Sequence, residues 1–330
     1  NRSWGTTLNL GWNSSGSSGE IRLADQAQGI ELFVFDDGQM LRSISLINND
    51  LLKLVGTSKN DVITGTEFRS KIYGRSGDDF LDAGQASVSW QYLFGESGDD
   101  TYYYSKHSGK VFVEETSGND LVKLLDLSLL DLVISTTNYG PNRSWGTTLN
   151  LGWNSSGSSG EIRLADLARD IELFVFDDGQ MLRSISLINN DLLKLVGTSK
   201  NDVITGTEFR SKIYGRSGDD FLDAGQASES WQYLFGDSGN DTFLFSTSNG
   251  KVFIDDSSGT NDILRFTDLD RVDVTLSSTD YGNHSWGETL NLSWDSGGNS
   301  GQVRVANLGN EIEQFVFSDG SIFSADEFII

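Results

Sequence analysis

Residues 74–82 read GRSGDDFLD, with glycines at the first and fourth positions and three carboxylates, Asp78, Asp79 and Asp82, within nine residues. Carboxylates held close repel by roughly 1 kcal/mol per pair at 4 Å in water, and by more where solvent is excluded. A chain that crowds them needs a compensating charge. The crowding recurs in phase: turns that begin at 56, 74, 95 and 115 carry Asp61, Asp79, Asp100 and Asp120 at position six. A second set, further along the chain, carries Asp202, Asp220, Asp241 and Asp262. Divalent cations are the natural partners for such acids.

The elements that would position them have a period of nine. GTSKNDVIT (56–64), GTEFRSKIY (65–73) and GRSGDDFLD (74–82) are followed by twelve residues, AGQASVSWQYLF, and then by GESGDDTYY (95–103), YSKHSGKVF (104–112) and ETSGNDLVK (115–123). The residue at position eight is bulky throughout: Ile63, Ile72, Leu81, Leu93, Tyr102, Val111 and Val122. A three-residue strand with one inward side chain, followed by a six-residue turn, gives that pattern.

The whole composition agrees with this reading. Against 24 Lys and Arg stand 48 Asp and Glu, a net charge of −24, which argues against nucleic acid and anionic membranes as partners. Thirty-seven glycines and a single proline leave a thin apolar core for 330 residues, although 11% of them are aromatic, too many for plain disorder. There is no cysteine, so neither disulfides nor thiolate metal sites are available. The apolar runs, such as IELFVF (30–35), have the length of strands and not of membrane spans. Residue 1 opens in mid-pattern and residue 330 falls where a further array would begin, so the expectation is a fragment of something longer.

NRSWGTTLNLGWNSSGSSGEIRLAD starts at 1 and again at 142, a period of 141 residues, and returns in altered form from 283. Between 1–94 and 142–235 only residues 26, 28, 29 and 88 differ from their counterparts Leu167, Arg169, Asp170 and Glu229. Near-identical modules in series suit a stalk or surface array better than an enzyme. Five segments are expected: small antiparallel β caps at 1–50, 126–191 and 268–330, and nonapeptide arrays at 51–125 and 192–267. The caps hold strand pairs such as LNLGW and EIRLA joined by NSSGSSG, with a short helical turn near 24–28.

The arrays resemble the RTX, or haemolysin-type, calcium-binding family, whose nonapeptide is G-G-x-G-x-D-x-U-x. Matches are good at 74–82, 95–103, 215–223 and 236–244; the turn at 56–61 departs at Thr57 and Lys59, and the turn at 115–120 has Glu115 in place of the first glycine. The resemblance implies an all-β fold, a parallel β-roll with each calcium between two turns on one edge. The residues it assigns to the sites of the first roll are Gly56, Ser58 and Asp61, then Gly74, Ser76, Gly77 and Asp79, then Gly95, Ser97, Gly98 and Asp100, then Ser117, Gly118 and Asp120. In the second they are Gly197, Ser199 and Asp202, then Gly215, Ser217, Gly218 and Asp220, then Gly236, Ser238, Gly239 and Asp241, then Gly259 and Asp262. Glycines at positions one, two and four are expected to take positive φ so that carbonyls turn inward.

The chain reverses at each turn, so alternate nonapeptides share an edge. Starts at 56, 74, 95 and 115 are 18, 21 and 20 apart, which puts all four acidic turns on the same edge. The intervening turns carry Ser70 and Gly109 at position six, so calcium is expected on one edge only, with up to three ions per roll and six in all. Arg69, Lys71, Lys106 and Lys110 lie toward the opposite edge, as a solvated face or a patch for an acidic polymer or a neighbouring module. An extracellular module of this type binds calcium with Kd on the order of 10⁻⁴ to 10⁻³ M. It would stay open in a cell and fold outside it.

Other candidates are weaker. The tryptophans (Trp4, Trp12, Trp90, Trp145, Trp153, Trp231, Trp286 and Trp294) suit packing better than sugar stacking. His107 and His284 occupy non-equivalent places, so neither a zinc site nor a histidine-based triad can be built twice. Asp36 and Asp37 before Gly38 read as a turn and not as a glycosidase pair. The expectation is a non-catalytic, calcium-folded module of a large secreted or cell-surface bacterial protein, an adhesin or matrix component exported by type I secretion. Its partners would be calcium and, beyond it, extracellular polysaccharide or neighbouring modules, with no nucleic acid and no membrane insertion. The alternative is the carboxy-terminal carrier or polysaccharide-binding region of a secreted enzyme.

Overall fold

Every bulky position-eight residue of the first array, from Ile63 through Val122, is fully buried at 0% exposure. Position eight is therefore the recurring inward apolar position on which successive coils stack. In this computed structural model the description covers the chain apart from residues 1–7, 15, 16, 24–31, 35–39, 42, 48–50, 67, 68, 86–89, 141–144, 156, 157, 189–191, 208, 227–230, 283, 284, 297, 298, 310 and 328–330. The described residues form strands, turns and short 3-10 segments, with no α-helix. Two units divide the chain, Asn1–Leu127 with Asp131–Leu173, and Ser128–Leu130 with Phe174–Ile330.

In the first unit, parallel strands stack coil upon coil into two facing sheets. One contains Leu51–Val55, Ser70–Ser76, Trp90–Ser97 and Lys110–Glu114. The other contains Val62–Thr64, Phe80–Asp82, Thr101–Tyr104 and Leu121–Leu124. The second unit repeats the plan, with Leu192–Val196, Ser211–Ser217, Trp231–Ser238 and Lys251–Asp255 facing Val203–Thr205, Phe221–Asp223, Thr242–Phe245 and Ile263–Phe266. This is a parallel β-roll. The strands are unequal: three or four residues in one sheet, up to eight in the other, where pairing runs on into the turn as Glu96 meets Arg75.

The hairpin segments continue these sheets. Ser158–Leu164 pairs in parallel with Lys110–Glu114, and antiparallel with Thr147–Ser155, which in turn pairs with Val133–Asn138. In the second unit Asn299–Val305 does the same beside Lys251–Asp255. The hairpin Leu8–Ser14 with Ser17–Leu23 has the same register. The helical turn expected near 24–28 lies outside the described residues, and its counterpart Ala165–Ala168 is a tight turn with left-handed backbone at Asp166 (φ 46), Leu167 (φ 59) and Ala168 (φ 56).

The outer face of the longer-stranded sheet is laid with rings. Tyr73 stacks on Phe94 at 4.7 Å and Tyr214 on Phe235 at 4.5 Å. Cations cover several of them: Arg163 sits 4.4 Å from the Trp90 ring, and Arg304 the same distance from Trp231. Lys71 and Arg69 lie over Tyr92, and Lys110 over Trp90. The basic residues are thus packed on aromatic faces, an arrangement that favours packing over a sugar-stacking platform. Trp153 is buried with its Nε1 donating to Tyr104 Oη, and Trp145 Nε1 donates to Glu114. Trp4, His284, Asp36 and Asp37 lie outside the described residues, as does the side chain of Trp12. At the counterpart of the acidic pair, Asp178 Oδ1 accepts the Gln180 N–H within an exposed turn.

Candidate calcium centres

Each acidic turn is held to the next by its own position-six aspartate. The Asp61 N–H donates to Asp79 Oδ1 (2.7 Å), the Asp79 N–H to Asp100 Oδ1 (2.8 Å) and the Asp100 N–H to Asp120 Oδ1 (2.7 Å). The second roll repeats this from Asp202 through Asp220 and Asp241 to Asp262. All eight aspartates are buried. They stack on one edge, as their spacing requires.

One oxygen per carboxylate is thereby used. The other, Oδ2, has no partner in Asp79, Asp100, Asp120, Asp220 and Asp241, although each is shielded from water. A buried carboxylate oxygen left without a donor is costly, and a cation is the group that satisfies it without one. The glycines at position one supply the room. A Cβ at Gly74 would collide with Asp79 Oδ2 and lie 3.0 Å from Gly95 O; one at Gly56 would lie 2.8 Å from Asp61 Oδ2 and 2.6 Å from Gly74 O. A space bounded by carboxylate and carbonyl oxygens of successive turns suits a hard cation, so the residues present fit calcium.

Position-one glycines do not have the positive φ expected of them; their reason is this space. Positive φ belongs to position four, as at Gly98 (φ 128) and Gly118 (φ 149), where a Cβ would also strike the carbonyl of Gly77 or Gly98 one coil earlier. Position two is also left-handed, yet holds Arg75 (φ 89), Glu96 (φ 78), Arg216 (φ 84) and Asp237 (φ 71). The position-three serines face outward: Ser97 Oγ donates to Arg75 O, Ser117 Oγ to Glu96 O and Ser238 Oγ to Arg216 O. Ser58 and Ser199 are exposed, as are Ser76 and Ser217.

The other two acids of GRSGDDFLD have separate tasks. Asp78 Oδ1 accepts the Asp99 N–H and Asp99 Oδ1 the Asn119 N–H, an outer ladder running opposite to the inner one. Asp82 Oδ1 accepts the Gly84 N–H at the other edge. At the start of each inner ladder no ion is required to satisfy the acid, because Thr57 donates both N–H and hydroxyl to Asp61, and Thr198 does so to Asp202.

Four acids that the nonapeptide pattern does not assign to a site join this edge. Glu172 Oε2 accepts the Asp120 N–H and Glu313 Oε2 the Asp262 N–H, both at distances near those within the ladder (2.7 and 2.6 Å). LARDIELFV (167–175) has Glu172 at position six and a bulky Phe174 at position eight, so the signal was present. The intervening hairpin, a separation of 52 residues, hid it. Glu115 and Asp256 stand at position one of the last turns, the second of which has one extra residue before Asp262; there they join Asp100 and Asp120, or Asp241 and Asp262, with oxygens within 4.8 Å of one another.

Burial drives the electrostatics. It holds the carboxyls of Asp79, Asp100, Asp120 and Asp220 up at about 7, against the lowering effect of the N–H each accepts, while neighbouring acids add to the rise. Asp256 is pushed to about 8 by burial and by Asp262 and Asp241. Burial likewise raises Glu115 and Asp241. Without a cation Asp79, Asp100, Asp120, Asp220 and Asp256 are partly protonated near neutral pH; a bound divalent ion would displace those protons.

The bare edge is built differently. Ser70 Oγ donates to Gln91 Oε1 (2.8 Å) and Ser211 Oγ to Gln232 Oε1 (2.9 Å), all four residues fully buried. His107, on this edge, is exposed.

Comparison with known proteins agrees with the geometry. The family model of the RTX calcium-binding nonapeptide repeat, in 4 copies, matches residues 55–87 and 196–228. This chain carries RTX calcium-binding repeats, and the matched segments include the turns at 56–61 and 74–79 with their second-roll counterparts. No curated protein matches the sequence. Among solved structures, the extracellular lipase LipA from Serratia marcescens aligns at 17% identity over 87% of this chain and 41% of its own, with a TM-score of 0.23. The chain thus spans less than half of that lipase, and the likeness carries no argument.

Proposed function

We propose that the chain is a non-catalytic, extracellular calcium-folded module of a large secreted or cell-surface bacterial RTX protein, an adhesin or matrix component. The observation that carries this reading is the row of buried Oδ2 atoms without partners beside the position-one glycines. The clustered acids oppose closure until ions neutralise them, so binding free energy becomes folding free energy. Calcium in the gaps between acidic turns, up to three ions per roll, would convert an acidic coil into a stiff roll, and the near-repeat of the module suits a stalk. No helix among the described residues is long and apolar enough to cross a membrane.

Circular dichroism of the chain in chelator and in millimolar calcium tests the reading. A large gain of β signal with calcium is expected. An already folded metal-free chain, indifferent to calcium, would overturn it.

A further inference from the structure

Building on that calcium reading, we propose that the last acidic turn of each roll forms a distinct site with a third carboxylate, Glu115 or Asp256, and that the Asp241–Asp256–Asp262 site binds its ion more tightly than its counterpart Asp100–Glu115–Asp120. The nonapeptide pattern places glycine at this position. Here an acid replaces it in both rolls, and the acid is buried in both. Beside Gly74 the nearest oxygens are Asp79 Oδ2 and the Gly95 carbonyl; at the last turn three carboxylates converge. The floor is again a position-one glycine. A Cβ at Gly95 would collide with Asp100 Oδ2 and Glu115 Oε2, and one at Gly236 with Asp241 Oδ2, while lying 2.8 Å from Asp256 Oδ1. More ligand charge in a rigid cage means tighter calcium.

The two sites differ by a paired exchange. In the first, Tyr102 donates its hydroxyl to Glu115 Oε2, while Glu115 Oε1 accepts the N–H groups of Thr116 (2.6 Å) and Ser117 (3.3 Å). Glu115 is satisfied before any ion arrives. In the second, Phe243 stands in place of Tyr102 and offers no donor. Asp256 Oδ1 accepts the Ser257 N–H, and its Oδ2, in a residue 3% exposed, has no partner. An ion at the first site competes with the tyrosine hydroxyl. An ion at the second has no such competitor.

Calcium titration of the full chain against a competing chelator tests this, with calcium itself as the probe. Asp256→Asn is expected to abolish the tightest class of binding, weakening it at least about tenfold, and Glu115→Gln to change affinity by less. Tyr102→Phe is expected to tighten a first-roll site by several-fold, a gain that loss of folding cannot mimic, and Phe243→Tyr to weaken the second. Calcium binding that is normal in the unaltered chain and unchanged in Asp256→Asn would overturn the three-carboxylate site while leaving the proposed function intact. Unchanged or weakened binding in Tyr102→Phe would overturn the role of the tyrosine. Failure of the unaltered chain to bind calcium at all would instead bring down the functional reading beneath both.

Discussion

The two edges of each roll solve the same problem in opposite ways. Successive coils must be joined at their turns, where backbone donors would otherwise be buried and unpaired. At one edge the join is a carboxylate that accepts an N–H on one oxygen and leaves the other without a partner, at Asp79, Asp100 and Asp220. At the other edge it is the neutral pair Ser70 and Gln91, or Ser211 and Gln232, in which the hydroxyl donor and amide acceptor complete each other. One edge is finished by protein alone and the other is unfinished until a charge arrives. On the proposed reading, one unfinished edge would be enough to make folding conditional on calcium.

The largest expected effect that separates the edges is that of pH in chelator. Carboxyls raised to about 7 in the fold, against about 3.9 when unfolded, bind protons more tightly in the folded state. Their contribution is therefore full below about pH 4, declines as pH rises, and is gone above about 7. In chelator the β signal of the chain in circular dichroism should rise as the pH is lowered from 8 to 5. In saturating calcium the dependence should reverse, since protons compete with the ion; an identical slope with and without calcium would contradict the assignment of these acids.

Next in size, Gly98→Ala introduces a side chain at φ 128 against Gly77 O, on the acidic edge, and should cost about 3 kcal/mol in urea unfolding even with calcium saturating. On the finished edge, Ser70→Ala leaves Gln91 Oε1 without its donor and should cost roughly 1–3 kcal/mol in urea unfolding at saturating calcium, with the number of ions bound at saturation unchanged. Asp79→Asn should reach the metal itself: the calcium midpoint of the circular-dichroism transition rises about tenfold, equivalent to about 1.4 kcal/mol, and the count of bound ions falls. Loss of a bound ion in Ser70→Ala would erase the distinction between the edges. The smallest change is Arg75→Gly, which relieves left-handed strain at position two and should raise thermal stability by about 1 kcal/mol or less.

Much of this was legible in residue order. The bulky residue at position eight and the aspartate at position six fixed the inward face and the acidic edge, because both depend on local period alone. What escaped depended on partners distant in sequence. Glu172 joins the ladder across a 52-residue gap filled by a hairpin, and Gln91 gives no sign of being Ser70's partner until the coils are stacked. Ser70, uncharged at position six, marked in sequence only an edge without an acid; that it is fully buried shows only in the fold. Glu115 was visible only as a departure from glycine. Its meaning needed the positions of Asp100 and Asp120 in space.

The alternation of edges also sets which insertions and deletions this architecture can survive. Removing one nonapeptide, 65–73 for example, would send every later turn of the roll to the other side, taking Asp79, Asp100 and Asp120 out of line with Asp61 and leaving Gln91 without Ser70. Removing two adjacent nonapeptides shortens the roll by a coil and leaves every remaining acid in line. Small loops such as those that stretch 18 to 21 or 20 are harmless, since they lengthen a turn without changing parity. Length variation in such chains should therefore proceed by whole coils, an even number of repeats at a time.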